Sequence, residues 1–475
     1  MTDPTGRPDG TVAESDAAAY ERWGPEVLAF VADYWRRLER LPVGPDVEPG
    51  WLRSRLPATA PTSPEDVERV LADVDELIVP ALTHWQSPNF FAYFPANTSW
   101  PSVLADLVCS GTSVNGMSWS TSPAATELET HVLDWLVDLC GLPARFRSDG
   151  PGGGVIQDTA SSATTVSLMA ARERAGGNRR LSDLTVYTSE HAHSSIEKGA
   201  HLAGFWPEHL RLVPTDDAFA LDPAALGAAL ADDIAAGLTP AYVGATIGTT
   251  SSMAVDPLPD IAEMTRRTGA WLHVDAAMAG SAALCEEHRG LFAGLDHADS
   301  YTFNPHKWMG VGVDCSVLYV ADRASLIDAL SITPTYLRSA HHDAGEVIDY
   351  RDWQMQLGRR FRSLKVWFVL RLTGAEAIRS MIRDHVEWTA RAVDRLGSDP
   401  RWVVAAPPML DLVCVRHAEG DDRTLEVLDA VNESGRALLT RTDLDERAVI
   451  RICVGARTTE WRHVEALLDL LDELA

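Results

Sequence analysis

Hydrophobic and polar positions divide the chain into stretches of different period. Between Glu26 and Leu41, the residues Val27, Leu28, Val31, Tyr34, Trp35 and Leu38 recur at helical spacing and predict an amphipathic helix. Residues 1–20 are polar, small and Pro/Gly-containing, and are predicted to be disordered. Pro42 to Pro61 is proline-rich and reads as an extended arm. Ser63-Pro64-Glu65-Asp66 offers a cap, a proline at the first helical position and acids in the first turn; it predicts a second helix running to about Ile78.

From about residue 100, short β-rich runs alternate with helical patterns. The runs are Leu184–Thr188, Leu210–Val213, Ala241–Ile247, Ala270–Val274 and Ser316–Val320, with helices such as Thr164–Ala175 and Leu258–Thr268 between them. Nearly continuous apolar strands separated by helices predict a mainly parallel sheet covered on both faces. The last hundred residues mix helix and strand and end in an amphipathic helix near Thr459–Leu474. The predicted organisation is a disordered segment 1–20, an N-terminal helical segment 21–98, a large α/β domain 99–357 and a small α+β domain 358–475.

Charge and composition narrow the function. A formal charge of −27 disfavours nucleic acid and anionic membranes as partners. No apolar run reaches membrane-spanning length and no basic-then-apolar leader is visible, so the expected location is cytoplasmic. The six cysteines form no CxxC or Cys/His cluster, and no metal is expected. Of 41 basic residues only Lys198, Lys307 and Lys365 are lysines. Arginine cannot form an imine with an aldehyde and lysine can, so a surviving lysine is a candidate for that chemistry.

Four short motifs carry candidate chemistry. Lys307 lies in Asn304-Pro305-His306-Lys307-Trp308, just before the apolar Val311–Val320 run, where packing would lower its pKa and make it nucleophilic; a snorkelling structural lysine is the alternative. Asp275 ends the apolar run Trp271–Val274, where an acid can hold a ring nitrogen protonated or simply cap a helix. Gly152-Gly153-Gly154 leads through Asp158 to Thr159-Ala160-Ser161-Ser162 and a helix from Ala163; this is a phosphate cradle or an ordinary capped loop. His193, in His191-Ala192-His193-Ser194-Ser195 after a predicted strand, can stack on a flat ring or move a proton. All four fall at the ends of predicted strands or at the start of a helix.

The chain resembles the group II pyridoxal-phosphate-dependent decarboxylases, and within them the aromatic-L-amino-acid decarboxylases. The resemblance runs from about Trp23 to Ala475. It includes Pro45–Gly50, His84-Trp85-Gln86-Ser87-Pro88, Phe90–Pro95, Ser122–Glu129, His193-Ser194-Ser195, His273–Ala277, Asn304–Trp308 and Gly358–Lys365. It implies the aspartate-aminotransferase fold, pyridoxal phosphate as cofactor and an intertwined homodimer with shared active sites. Lys307 would be the Schiff-base lysine, Asp275 the partner of the pyridine nitrogen, Ala277 the packing beneath the ring and His193 the stacking group. Thr159, Ala160, Ser161 and His306 would surround the phosphate and the lysine linkage, with Thr246 and Asn304 lining the same pocket. Tyr336, in the polar segment around Arg338–Gly345, matches the loop tyrosine that returns a proton to Cα.

For the substrate, the resemblance implies an aromatic pocket of Trp85, Tyr93 and Phe94, with Gly358 leaving room and Asn115 and Met117 reaching across from the partner subunit. Asn115 and Met117 depart from the apolar and aromatic residues of animal relatives, and Ala96 from a threonine. The expected substrates are therefore tryptophan or phenylalanine ahead of DOPA. An oxygen-dependent aldehyde synthase is the alternative, as is a decarboxylase of histidine or glutamate. The presence of both Tyr336 and His193 favours plain decarboxylation, and retention of Lys307 and Asp275 disfavours a non-catalytic descendant.

Overall fold

The structure is a computed structural model and describes residues 15–332, 334 and 340–475. Tyr336 lies outside the described residues. Residues 16–20, predicted to be disordered, instead form the first turn of a helix over Asp16–Arg37. Ser15 caps it, its Oγ accepting from the Ala18 N–H at 3.3 Å. No residue of this helix is buried within the chain, and Val27 and Leu28 of its apolar stripe are exposed. The second helix begins at Val67, four residues beyond the predicted Ser63 cap, and continues as a wider turn over Val74–Ile78. Asp66 precedes it in an extended conformation with no side-chain cap bond, so the Ser-Pro-Glu-Asp signal does not start the helix where the sequence suggested.

The large sheet has seven strands: β1 (Gly153–Gln157), β2 (Leu184–Ser189), β3 (Leu210–Val213), β4 (Thr239–Thr246), β5 (Trp271–Asp275), β6 (Ser300–Phe303) and β7 (Ser316–Val320). Their order is β1-β7-β6-β5-β4-β2-β3. β7 runs antiparallel to both neighbours, and the pairs from β6 to β3 are parallel. Alternate strand residues enter two separate apolar cores: Ile156, Tyr187, Val243 and Leu272 on one side, Val155, Val186, Tyr242 and Trp271 on the other. That alternation is how a sheet buried on both faces produces unbroken apolar runs.

β1 corrects the reading of Gly152–Gly154 as part of a loop. The strand is fully buried and pairs in register with β7, Gly154 opposite Tyr319. A Cβ on Gly154 would stand 2.7 Å from the Tyr319 ring, and one on Gly152 would stand 2.0 Å from the Arg145 carbonyl oxygen. These glycines serve close backbone packing, and the helix of the cradle starts three residues early, at Ala160.

A second, antiparallel sheet follows, formed by β8 (Trp402–Val404), β9 (Leu412–His417), β10 (Thr440–Leu444) and β11 (Arg447–Cys453), in the order β10-β11-β9-β8. The N-terminal arm is stitched to its edge. The Phe91 N–H donates to the Leu438 carbonyl at 3.0 Å, and the Cys453 N–H donates to the Phe91 carbonyl at 3.0 Å. This stitch fixes Phe94, three residues on, against the large sheet's core.

Candidate active site

The carboxyl ends of the strands converge on one cavity of about 190 Å³. Thr246 ends β4, Asp275 ends β5 and Asn304 follows β6, and the helix Ala160–Arg174 begins just beyond β1. Thr159, Ala160, Ser161, His193, Thr246, Asp275, Ala277, Asn304, Lys307 and Phe94 all line the cavity, together with the unpredicted Gly248, Thr250 and Met278. An open α/β sheet binds ligands at this edge.

Each side chain is held by its own element. Thr159 caps the helix, its Oγ1 accepting from the Ser162 N–H at 3.5 Å. The first-turn N–H groups of a helix have no intrahelical partner, which makes this end of the cavity an anion seat. Asp275 is buried, and its Oδ1 accepts from the Ala277 N–H at 2.9 Å. Thr246 is positioned by the buried Asp256, whose carboxylate accepts from the N–H groups of Thr246 (2.7 Å) and Leu221 (2.8 Å). His193 accepts at Nδ1 from the Ser195 N–H at 3.1 Å, and desolvation holds its pKa below the usual histidine value. The neutral ring therefore carries its proton on Nε2.

Lys307 differs from the other two lysines. Lys365 is buried and donates to the carbonyls of Gly312 (2.9 Å) and Asp314 (3.2 Å), a structural role, and Lys198 is exposed. Lys307 Nζ has no hydrogen bond or ion pair among the described residues and lies over the Phe94 ring, 5.2 Å from its centroid. Desolvation lowers its pKa, Arg451 lowers it further, and Asp275, Cys453 and Asp411 oppose that shift. A lysine in this state is a competent nucleophile toward an aldehyde.

Several predicted residues stand elsewhere. His306 is buried off the cavity wall, where its Nδ1 accepts from the Cys315 N–H at 3.0 Å and burial lowers its pKa to about 4. Trp85 and Tyr93 stack on each other, centroids 5.5 Å apart, and both are exposed. Asn115 accepts at Oδ1 from the Arg359 N–H at 3.0 Å, which ties it beside the exposed Gly358. The Met117 carbonyl accepts from the Arg351 N–H at 2.9 Å. None of these six residues, Gly358 included, lines this chain's cavity.

Besides Gly248, Thr250 and Met278, two charged residues close to the cavity escape the sequence. Arg451 on β11 is buried, its Cζ 5.0 Å from the same Phe94 centroid, with Nε and Nη2 unpartnered. Asp411, just before β9, is fully buried and acts on Lys307. Each is a charge inside an apolar run, Val449-Ile450-Arg451-Ile452 and Met409-Leu410-Asp411-Leu412, and that interruption was the available signal. Among the described residues, one histidine–carboxylate cluster lies away from the cavity: His342, Asp349 and Asp352. Arg351 sits 2.9 Å from Asp349 and 3.7 Å from Asp352 and pairs with both carboxylates.

The cavity fits pyridoxal phosphate on its own chemistry. Thr246 Oγ1 and Asn304 Oδ1 are buried on its wall with no partner among the described residues, which is costly unless a ligand satisfies them. An unpaired lysine, a buried aspartate and a helix N-terminus complete the set that an aldehyde, a pyridine nitrogen and a phosphate require. The fold and this site define a pyridoxal-phosphate enzyme of the aspartate-aminotransferase type.

The chain matches the pyridoxal-dependent decarboxylase conserved domain over residues 49–418. It belongs to that family and is a pyridoxal-phosphate-dependent carboxy-lyase. Tryptophan decarboxylase 2 of Oryza sativa subsp. japonica is 43% identical over 97% of this chain and 95% of its own length. Phenylacetaldehyde synthase of Arabidopsis thaliana is also 43% identical, over 97% of this chain and 96% of its own. The crystal structure of Oryza sativa TDC with PLP and tryptamine superposes with a TM-score of 0.95 at 38% identity, covering 98% of this chain and 99% of that one.

Proposed function

We propose that this protein decarboxylates an aromatic L-amino acid, tryptophan or phenylalanine ahead of DOPA, to the arylalkylamine and CO2. The observation that carries this reading is Lys307, without a hydrogen bond or ion pair among the described residues, in one cavity with Asp275 and Phe94. Pyridoxal phosphate, when bound, supplies the sink for the electron pair released as the carboxylate leaves Cα. Lys307 would hold its aldehyde carbon, and Asp275 would keep the pyridine nitrogen protonated. Thr159, Ala160 and Ser161 would hold the phosphate, and Thr246 and Asn304 would donate or accept along the ring edge. His193 would cover the ring and keep its Nε2 proton available, and Ala277 would pack beneath. His306, next to Lys307 in the chain, would stay a neutral imidazole, its Nδ1 accepting from the Cys315 N–H. Tyr336 is the proposed donor of the proton to Cα.

We further infer a homodimer. Trp85, Tyr93, Trp100, Leu107, Val27 and Leu28 are exposed apolar side chains on the N-terminal segments, a pattern that marks an interaction surface. A second copy placed there would bring Asn115, Met117, Gly358, Trp85 and Tyr93 to a shared substrate pocket. All six cysteines are free and buried, which suits the reducing cytoplasm.

Overall similarity does not separate decarboxylase from aldehyde synthase, because relatives of both names are 43% identical to the chain. The test is to incubate protein and cofactor with tryptophan, phenylalanine, tyrosine, DOPA, histidine and glutamate, following CO2, amine and peroxide together. Amine matching CO2, from aromatic substrates and without peroxide, is the expected result. Peroxide in step with CO2 would establish the aldehyde synthase, and turnover of histidine or glutamate alone would overturn the aromatic pocket.

A further inference from the structure

Behind the cavity lies a buried acid that the mechanism above does not use. Asp411 follows Leu410, which turns the chain in the left-handed region (φ 51°), and precedes β9. Its side chain is sealed from solvent. Oδ2 accepts from the Cys453 thiol at 3.3 Å, and Oδ1 has no partner among the described residues. Gly455 makes the room: a Cβ there would stand 2.8 Å from Asp411 Oδ2 and 3.1 Å from Met278 Cε. Met278 is itself a wall residue of the cavity. The Gly455 carbonyl accepts from Asn97 Nδ2 at 2.8 Å, and the same Nδ2 donates to the Lys307 carbonyl at 2.5 Å. Asp411 thus lies one side chain behind the cavity, packed against Gly455, whose carbonyl shares the Asn97 amide with that of Lys307.

We propose that Asp411 is a positioning residue: a buried counter-charge that, set against Arg451, fixes the protonation of Lys307 and of its link to the cofactor. The inference rests on Lys307 being the cofactor lysine. Groups facing Lys307 are Asp275, His193, His306, Arg451, Cys453 and Asp411; those facing Asp411 are Cys453, Arg451 and Lys307. Burial raises the Asp411 pKa to about 7, so the acid changes charge near neutrality. Ionised, it favours the protonated nitrogen of Lys307; protonated, it withdraws that support.

The test is a pH titration of the visible absorbance of the holoenzyme's bound cofactor. In Asp411→Asn, nearly isosteric but uncharged, the midpoint moves to lower pH by about 0.5 unit or more, the direction for losing a nearby anion. Cys453→Ser keeps the hydrogen bond and the charge, and leaves the midpoint in place. If Asp411→Asn does not fold, Asp411→Gly is titrated instead, with the same displacement expected. A folded, cofactor-loaded Asp411 variant with an unmoved midpoint overturns the proposal, as does an equal displacement in Cys453→Ser. Absence of any cofactor band in the unaltered protein would instead sink the assignment of Lys307.

Discussion

Lys307 Nζ lies 5.2 Å from the centroid of the Phe94 ring, and the Arg451 guanidinium lies 5.0 Å from the same centroid. Phe94 comes from the N-terminal arm, Lys307 from the short helix Pro305–Trp308 between β6 and β7, and Arg451 from the small sheet, so one ring joins three parts of the chain at the reacting lysine. Phe94 is buried, and Phe94→Ala is expected to cost roughly 3–5 kcal/mol in urea unfolding. Cofactor retention should fall in the same variant; a change under about 1 kcal/mol would mean the arm does not brace the site.

Thr246 separates cofactor contact from structure. Its buried hydroxyl has no partner among the described residues, so Thr246→Val removes an unsatisfied group from the cofactor-free protein. Thermal stability without cofactor should hold or rise, and the cofactor Kd should weaken about 5- to 10-fold, the loss of one hydrogen bond. Unchanged affinity would remove Thr246 from the cofactor shell.

Arg359 and Glu129 form a buried ion pair beneath β1. Glu129 Oε1 also accepts from the Ile156 N–H at 2.7 Å, and Arg359 Nη2 donates to the Ile156 carbonyl at 2.6 Å. Breaking one partner strands a buried charge, so Arg359→Ala should destabilise by about 3–5 kcal/mol. Because β1 leads into the Thr159 cradle, cofactor content of the purified variant should drop with it; calorimetry and absorbance check the two effects separately.

The strands β2, β4, β5 and β7 were legible because a sheet buried on both faces writes apolar runs into the sequence, and the edge strand β3 from its Leu-Arg-Leu-Val alternation although it is mostly not buried. β1 was not, because its glycines, required by the Tyr319 ring and the Arg145 carbonyl, look like a loop. β6 was too short to stand out, with four residues, two of them Ser and Thr. In the site, Asp275 and His193 were readable because each sits where an apolar strand pattern ends, and Lys307 because it stands just before an apolar run in a chain of three lysines. Arg451 and Asp411 reach the same place from strands far along the chain, a proximity that spacing does not encode. Trp85, Tyr93, Asn115, Met117 and Gly358 were read through the resemblance, and the single chain leaves them outside its cavity.

Acid stability tests the buried histidines. Burial lowers the pKa of His273 and His306 to about 4 and of His385 to about 3. Above the unfolded value of about 6.5 both states are neutral and the full stability is present. As pH falls from there toward 4, the unfolded chain takes up protons that the folded one refuses, and stability is lost. Asp256 and Asp411, raised to about 6 and about 7, act the other way, weakening the fold as pH rises from about 4 through those values. His385→Gln keeps an acceptor for the Trp308 N–H at 2.9 Å but cannot titrate. Its unfolding free energy should fall less steeply between pH 6.5 and 4 than that of the unaltered protein; equal slopes would show that His385 titrates normally.

The most direct test of the account is to reduce the cofactor-loaded protein with borohydride and map the modified peptide. With three lysines in the chain, the answer is unambiguous. The account requires one pyridoxyl adduct, on Lys307, and none in a Lys307→Arg variant. An adduct on Lys198 or Lys365, or none at all in protein that decarboxylates, would contradict it.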